Sequence, residues 1–120
     1  MGAVADAAVE IETALETLEW AAVYRDPGAT INTPGIVLGP PALLWEAGCP
    51  GPTSARFLVY VIVDADERAV ERLWEYVAEV ADTIDEKTGV VVIRADPATY
   101  VAGSPATQLP AYEIQVEASL

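Results

Sequence analysis

Histidine is absent, and cysteine, methionine and phenylalanine occur once each in the 120 residues. Without an imidazole the chain has no ordinary near-neutral base, no Ser-His or Cys-His nucleophile pair and no His metal ligand. A lone thiol, Cys49, forms neither an internal disulfide nor a Cys-rich zinc site. It lies in Ala47-Gly48-Cys49-Pro50-Gly51-Pro52 with no nearby cation to hold a thiolate, and reads as an incidental loop residue. That cysteine usage fits synthesis in a reducing compartment. Positive charge is scarce: six Lys plus Arg face nineteen Asp plus Glu, a net charge of −13. Such a surface repels phosphate backbones and anionic lipid, which excludes most nucleic-acid readers and membrane-surface binders. No apolar run approaches the roughly 20 residues of a membrane span. The start, Met1-Gly2-Ala3-Val4-Ala5-Asp6, has neither a basic n-region nor an apolar h-region, so no signal peptide is expected.

What is present is apolar: 52% hydrophobic residues against 21% charged, the balance of a soluble folded chain. Val4, Ala8, Ile11, Leu15, Leu18 and Ala22 recur at spacings of four and three, predicting a helix whose Glu10, Glu12, Glu16 and Glu19 face water. By Ala22-Val23-Tyr24-Arg25 the composition favours extended chain, and Asp26-Pro27-Gly28 forces a turn. Short strands are expected at 36–38 and 42–46, in edge positions because prolines flank both. Ser54–Val63 is apolar on both faces, as an interior strand requires.

Asp64 with Glu67 reads as a capping-box-like helix start. Asp64, Asp66 and Glu67 also have metal-like spacing, but capping accounts for them and no metal site is assigned. Val70, Leu73, Val77, Val80 and Ile84 form the stripe of a second helix, widened by Trp74 and Ala81 and ending at Lys87-Thr88-Gly89. Arg68–Glu71 and Arg72–Glu75 are its expected surface pairs. Val90–Arg94 is a strand stopped at Asp96-Pro97, residues 98–108 a polar loop, and Ala111–Leu120 a strand with one buried and one wet face. Trp20 and Trp74 are assigned to the core; for Trp45 core and interface weigh equally.

The expected architecture is α+β: a single domain over residues 1–120, two helices packed on one face of a mainly antiparallel four- to five-stranded sheet. No catalytic, cofactor or metal constellation emerges, and neither an enzymatic activity nor a cofactor is expected. Gly35 and Gly39 form no phosphate loop, since Pro40-Pro41 removes the amides that would hold an anion. Ser54 has no partners for a nucleophile.

Several ordered blocks carry a resemblance. Val23-Tyr24-Arg25-Asp26-Pro27-Gly28, Gly39-Pro40-Pro41, Gly51-Pro52-Thr53-Ser54-Ala55, the Asp66–Trp74 helix start and Leu109-Pro110-Ala111-Tyr112-Glu113 resemble small tail-terminator proteins of long-tailed actinobacteriophages. The likeness spans nearly the whole chain and rests on the order and spacing of the blocks. It implies a tail-terminator-like α/β sandwich. It further implies a virion protein, made in the bacterial host cytoplasm and placed at the tail–head junction. There it would form a homo-oligomeric ring, typically of six subunits, on the last ring of the tail tube protein. That ring ends polymerisation and presents the surface for head-side neck and connector proteins, and DNA passes through it without specific binding. Such a ring uses two different patches per subunit, closed by rotation. On this reading Arg25, Asp26, Pro27, Gly28, Pro40, Pro41, Trp45, Pro52, Arg56 and Arg94 are the candidate subunit or tube contacts, the arginines meeting a neighbour's acids. Two alternatives stay open: another neck component such as head closure, and a small dimeric ligand-binding module, with a cofactor-free enzyme of the same sandwich type a distant third.

Overall fold

The computed structural model describes residues 2–25, 31–103 and 106–120. Helix α1 spans Ala3–Leu15 and α2 Ala69–Lys87; the strands are β1 Ala22–Tyr24, β2 Gly35–Leu38, β3 Ala42–Leu44, β4 Ser54–Ile62, β5 Val91–Ala102 and β6 Thr107–Ser119. The sheet order is β1-β2-β4-β6-β5, with β3 paired to β4 beside the end of β2. Two helices on one face of a sheet is the expected α+β arrangement. The sheet, however, has six strands rather than four or five, and it is mixed: β1 and β2 are parallel, while the other pairings are antiparallel.

Strand β4 is central. Its first half pairs with β3, its second half with β2, and its whole length with β6. One face of it, Phe57, Val59 and Val61, packs with Ile114, Val116 and Ala118 of β6 under Ile11 and Leu15 of α1 and Leu73, Val80 and Ile84 of α2. These side chains are essentially solvent-free, and their burial is the main stabilising term of the fold. Thr88 and Gly89 close α2, and the Gly89 amide donates to the Glu10 carboxylate at 3.0 Å, tying the helices together.

Several expectations need correction. The first helix stops at Leu15, seven residues short of Ala22: Thr17 turns its hydroxyl onto the Ala14 carbonyl at 2.7 Å, one of the last carbonyls of the helix. The apolar spacing continues nonetheless, because Leu18 still reaches the core and Trp20 stacks on Tyr76 with centroids 4.1 Å apart. Helix α2 begins at Ala69 with no side-chain cap. Instead of capping, Asp64 accepts the Thr33 hydroxyl, and Asp66 accepts the Arg68 amide at 2.8 Å in an Asx turn. Arg72 bonds Asp66 rather than Glu75, and among the described residues no Arg68–Glu71 ion pair forms.

Strand β2 lies inside the sheet, not at its edge, with all four residues buried. Pro34 precedes it and Pro40 follows it, so neither removes a ladder amide. Pro97 does not stop β5. The strand is the sheet's outer edge, where a missing donor costs no pairing, and it continues to Ala102. The supposed loop 98–108 is therefore mostly the β5–β6 hairpin, turned through Gly103 at φ +85°. Ser104 and Pro105, part of that loop, lie outside the described residues.

Candidate assembly surface

The helices cover one face of the sheet and leave the other open. Cross-strand register defines the open face: Arg56 faces Glu117, Leu58 faces Gln115, Tyr60 faces Glu113 and Val37, and Ile62 faces Ala111. Its β1 end and the hairpin gather Val37, Ile62, Tyr100 and Ala111 into a second apolar cluster, with Tyr24, Ile31, Tyr60, Ala102 and Leu109 around it. Tyr100 belongs to the part of the hairpin beyond the β4 pairing, yet its ring lies 5.6 Å from that of Tyr60 at 60°. The hairpin therefore curls over the open face. A cleft of about 340 Å³ remains beneath it, lined chiefly by Val37, Pro40, Leu58, Tyr60, Tyr100 and Val101. Burial and the neighbouring Glu113 carboxylate push the Tyr60 phenol above its ordinary range.

Charge divides along the same line. The helix layer presents Asp6, Glu10, Glu16, Glu19, Glu71, Glu75, Glu79, Asp82, Asp85 and Glu86 to solvent. Residues 27–45, 57–63 and 97–112, which include β2, β3, most of β4 and the outer half of the β5–β6 hairpin, contain no charged residue at all. Where the open face does carry charge, Arg56 pairs with Glu117 at 2.7 Å and Arg94 with Asp96 at 2.8 Å, and Glu113 adds one further carboxylate beside Tyr60.

The candidate contact residues fall into three groups. Arg25, Pro40 and Pro41 line one cleft of about 270 Å³ together with Ala8, Leu38 and Phe57. Trp45 and Pro52 sit on the loop after β3, where Trp45 is 56% exposed. Arg56 and Arg94 lie on the open face, two strands apart. Each of the three arginines is paired within its own chain, Arg25 with Glu12 at 3.1 Å. Arg94 stands at the bulge near the start of β5. Asp26, Pro27 and Gly28 lie outside the described residues. Cys49 is exposed and unbridged. Among the described residues no three potential ligands converge as a metal site requires, and no helix is long and apolar enough to cross a membrane.

Trp74 is the clearest departure from expectation. It is 59% exposed rather than in the core, and Val70 beside it is 52% exposed. The signal was in the periodicity: Trp74 is one residue, about 100° of helical rotation, past Leu73, at the margin of the stripe. Its indole Nε1 donates to the Tyr112 hydroxyl at 2.9 Å, which fixes the ring above β6. Trp20, by contrast, is packed against the core as expected. Compared with known proteins, the chain matches no family model and no curated protein.

Proposed function

We propose that this chain is a structural virion protein of the tail-terminator kind, a ring-forming cap on the head-proximal end of a phage tail tube that ends its growth and receives the head. The supporting observation is the segregation of charge. A molecule of net charge −13 carries most of its acids on the helix layer and leaves β2, most of β4 and the outer half of the β5–β6 hairpin without charge, with Trp45 exposed on the loop after β3 and Trp74 exposed on α2. Copies can meet through the uncharged surfaces with little like-charge repulsion, and depleted charge with exposed aromatics is the composition of interface cores. An acid-rich ring also lets DNA pass without adhering. The partners on this reading are further copies, the tube protein and the head-side connector, and the activity is assembly rather than catalysis. A neighbouring neck position such as head closure uses the same surfaces.

A second reading, the dimeric ligand-binding module, is favoured by the cleft beneath the hairpin with its two tyrosines. Light scattering across a concentration series separates the two. A mass near six times 12.7 kDa supports the ring, whereas a dimer at every concentration removes it and leaves the module.

A further inference from the structure

We propose that copies of this chain join head to tail, Trp74 of one copy seating in the cleft between α1 and Pro40-Pro41 of the next. The inference rests on the ring-forming reading and names its contact. Three observations carry it. First, the two features are complementary in shape and polarity. Trp74 stands out from α2 with Val70 beside it, held in one orientation by the Tyr112 hydroxyl, so little freedom is lost on docking. The cleft is lined by Ala8, Leu38, Pro40, Pro41 and Phe57 with Arg25 beside them, and its volume is about 270 Å³. An apolar cavity of about 150 Å³ already holds benzene, so an indole has room.

Second, the two features lie on opposite sides of β4. Trp74 is over β6, next to the edge strand β5, and the cleft is at the β1–β2 side. A contact between unlike patches on opposite flanks is heterologous and repeats from copy to copy until rotation closes it. Third, the charges at the two features are compatible. Glu71, exposed and one helical turn before Trp74, would meet at the cleft Arg25, whose side chain pairs with Glu12 of its own chain at 3.1 Å but stays 47% exposed and able to take a second carboxylate. A fully buried aromatic anchor framed by an exposed ion pair is the arrangement in which one residue dominates association.

The test uses two variants of the full chain. Trp74→Ala removes the knob and keeps the cleft; Pro40→Asp puts a carboxylate at the mouth of the cleft and keeps the knob. Both positions are exposed, and circular dichroism melting confirms that each variant folds. Light scattering is expected to show self-association of each variant weakened at least about 30-fold, the effect of losing an aromatic anchor. An equimolar mixture of the two is expected to give a heterodimer and no larger species, because one intact knob and one intact cleft remain. A ring that survives Trp74→Ala overturns the inference and leaves the ring reading standing. A heterodimer from the mixture sustains the contact even if the wild-type chain does not close at six. A mixture that stays monomeric overturns it, whether the wild-type chain forms rings through another surface or stays monomeric itself.

Discussion

The two faces of this sheet differ in composition and have opposite fates: one is apolar throughout, the other mixes apolar residues at its hairpin end with the sheet's charged residues. The helix-side face, Phe57, Val59, Val61, Ile114 and Val116, is sealed by α1 and α2, whose outer surfaces carry the acids. The open face is sealed only in part, by its own hairpin curling onto Tyr60. The sealed face makes the domain stable. The open face, uncharged at its hairpin end and roofed there by two strands alone, is left partly uncovered.

Substitutions can break this contrast. Phe57→Ala should cost the most, about 3–5 kcal/mol, because a fully buried ring leaves a cavity between two rigid layers. Ile62→Ala tests whether the open face is a second core. Ile62 is equally buried, and we expect about 2–3 kcal/mol in urea unfolding, at the low end for a buried isoleucine because the hairpin can settle onto the gap. A loss equal to that of Phe57→Ala would mean that the hairpin is as rigid a roof as the helices. Arg56→Ala, on the charged part of the open face, should change stability by less than about 1 kcal/mol, since its pair with Glu117 is exposed.

Two titrations sharpen the comparison further. On the helix side the Arg68 amide and the Arg72 guanidinium hold the Asp66 carboxyl below its ordinary range. A depressed carboxyl favours the folded state above its unfolded pKa, and that contribution fades as pH falls through the folded value. Carbon-13 NMR should find Asp66 ionising below about 3.9, and Arg72→Ala should raise it. On the open face Tyr60 is shifted upward, so its contribution is complete below the unfolded value and fades as pH rises through the folded one. Ultraviolet titration should show one tyrosine ionising above about 10, moving down in Glu113→Gln.

The sealed half of the molecule was legible because hydrophobic periodicity reports burial. The spacings in α1 and α2, the two-faced apolar run of β4 and the alternation in β6 each identified their element. The misreadings share a cause: local punctuation was given more weight than pairing. Pro97 reads locally as a stop, yet an edge strand tolerates it, and Pro34 and Pro40 suggest an edge but only bracket β2. Asp64 matched a cap that it does not form, because Thr33, distant in sequence, takes its carboxylate. Of the candidate contacts, the clustering of Arg25, Pro40 and Pro41 depends on α1 meeting the turn after β2, which no local pattern encodes. The exposure of Trp74 was a matter of helical angle, and a margin position is decided by what packs opposite.

The three tryptophans sit in three different optical environments. Trp20 is stacked face to face on Tyr76 at the edge of the core, while Trp45 and Trp74 emit from the surface. Acrylamide therefore reaches two indoles readily in the folded chain and the third, half-buried against Tyr76, much less until the chain unfolds. Fluorescence quenching of the natural sequence thus reads folding through one residue and docking through another, with no label attached.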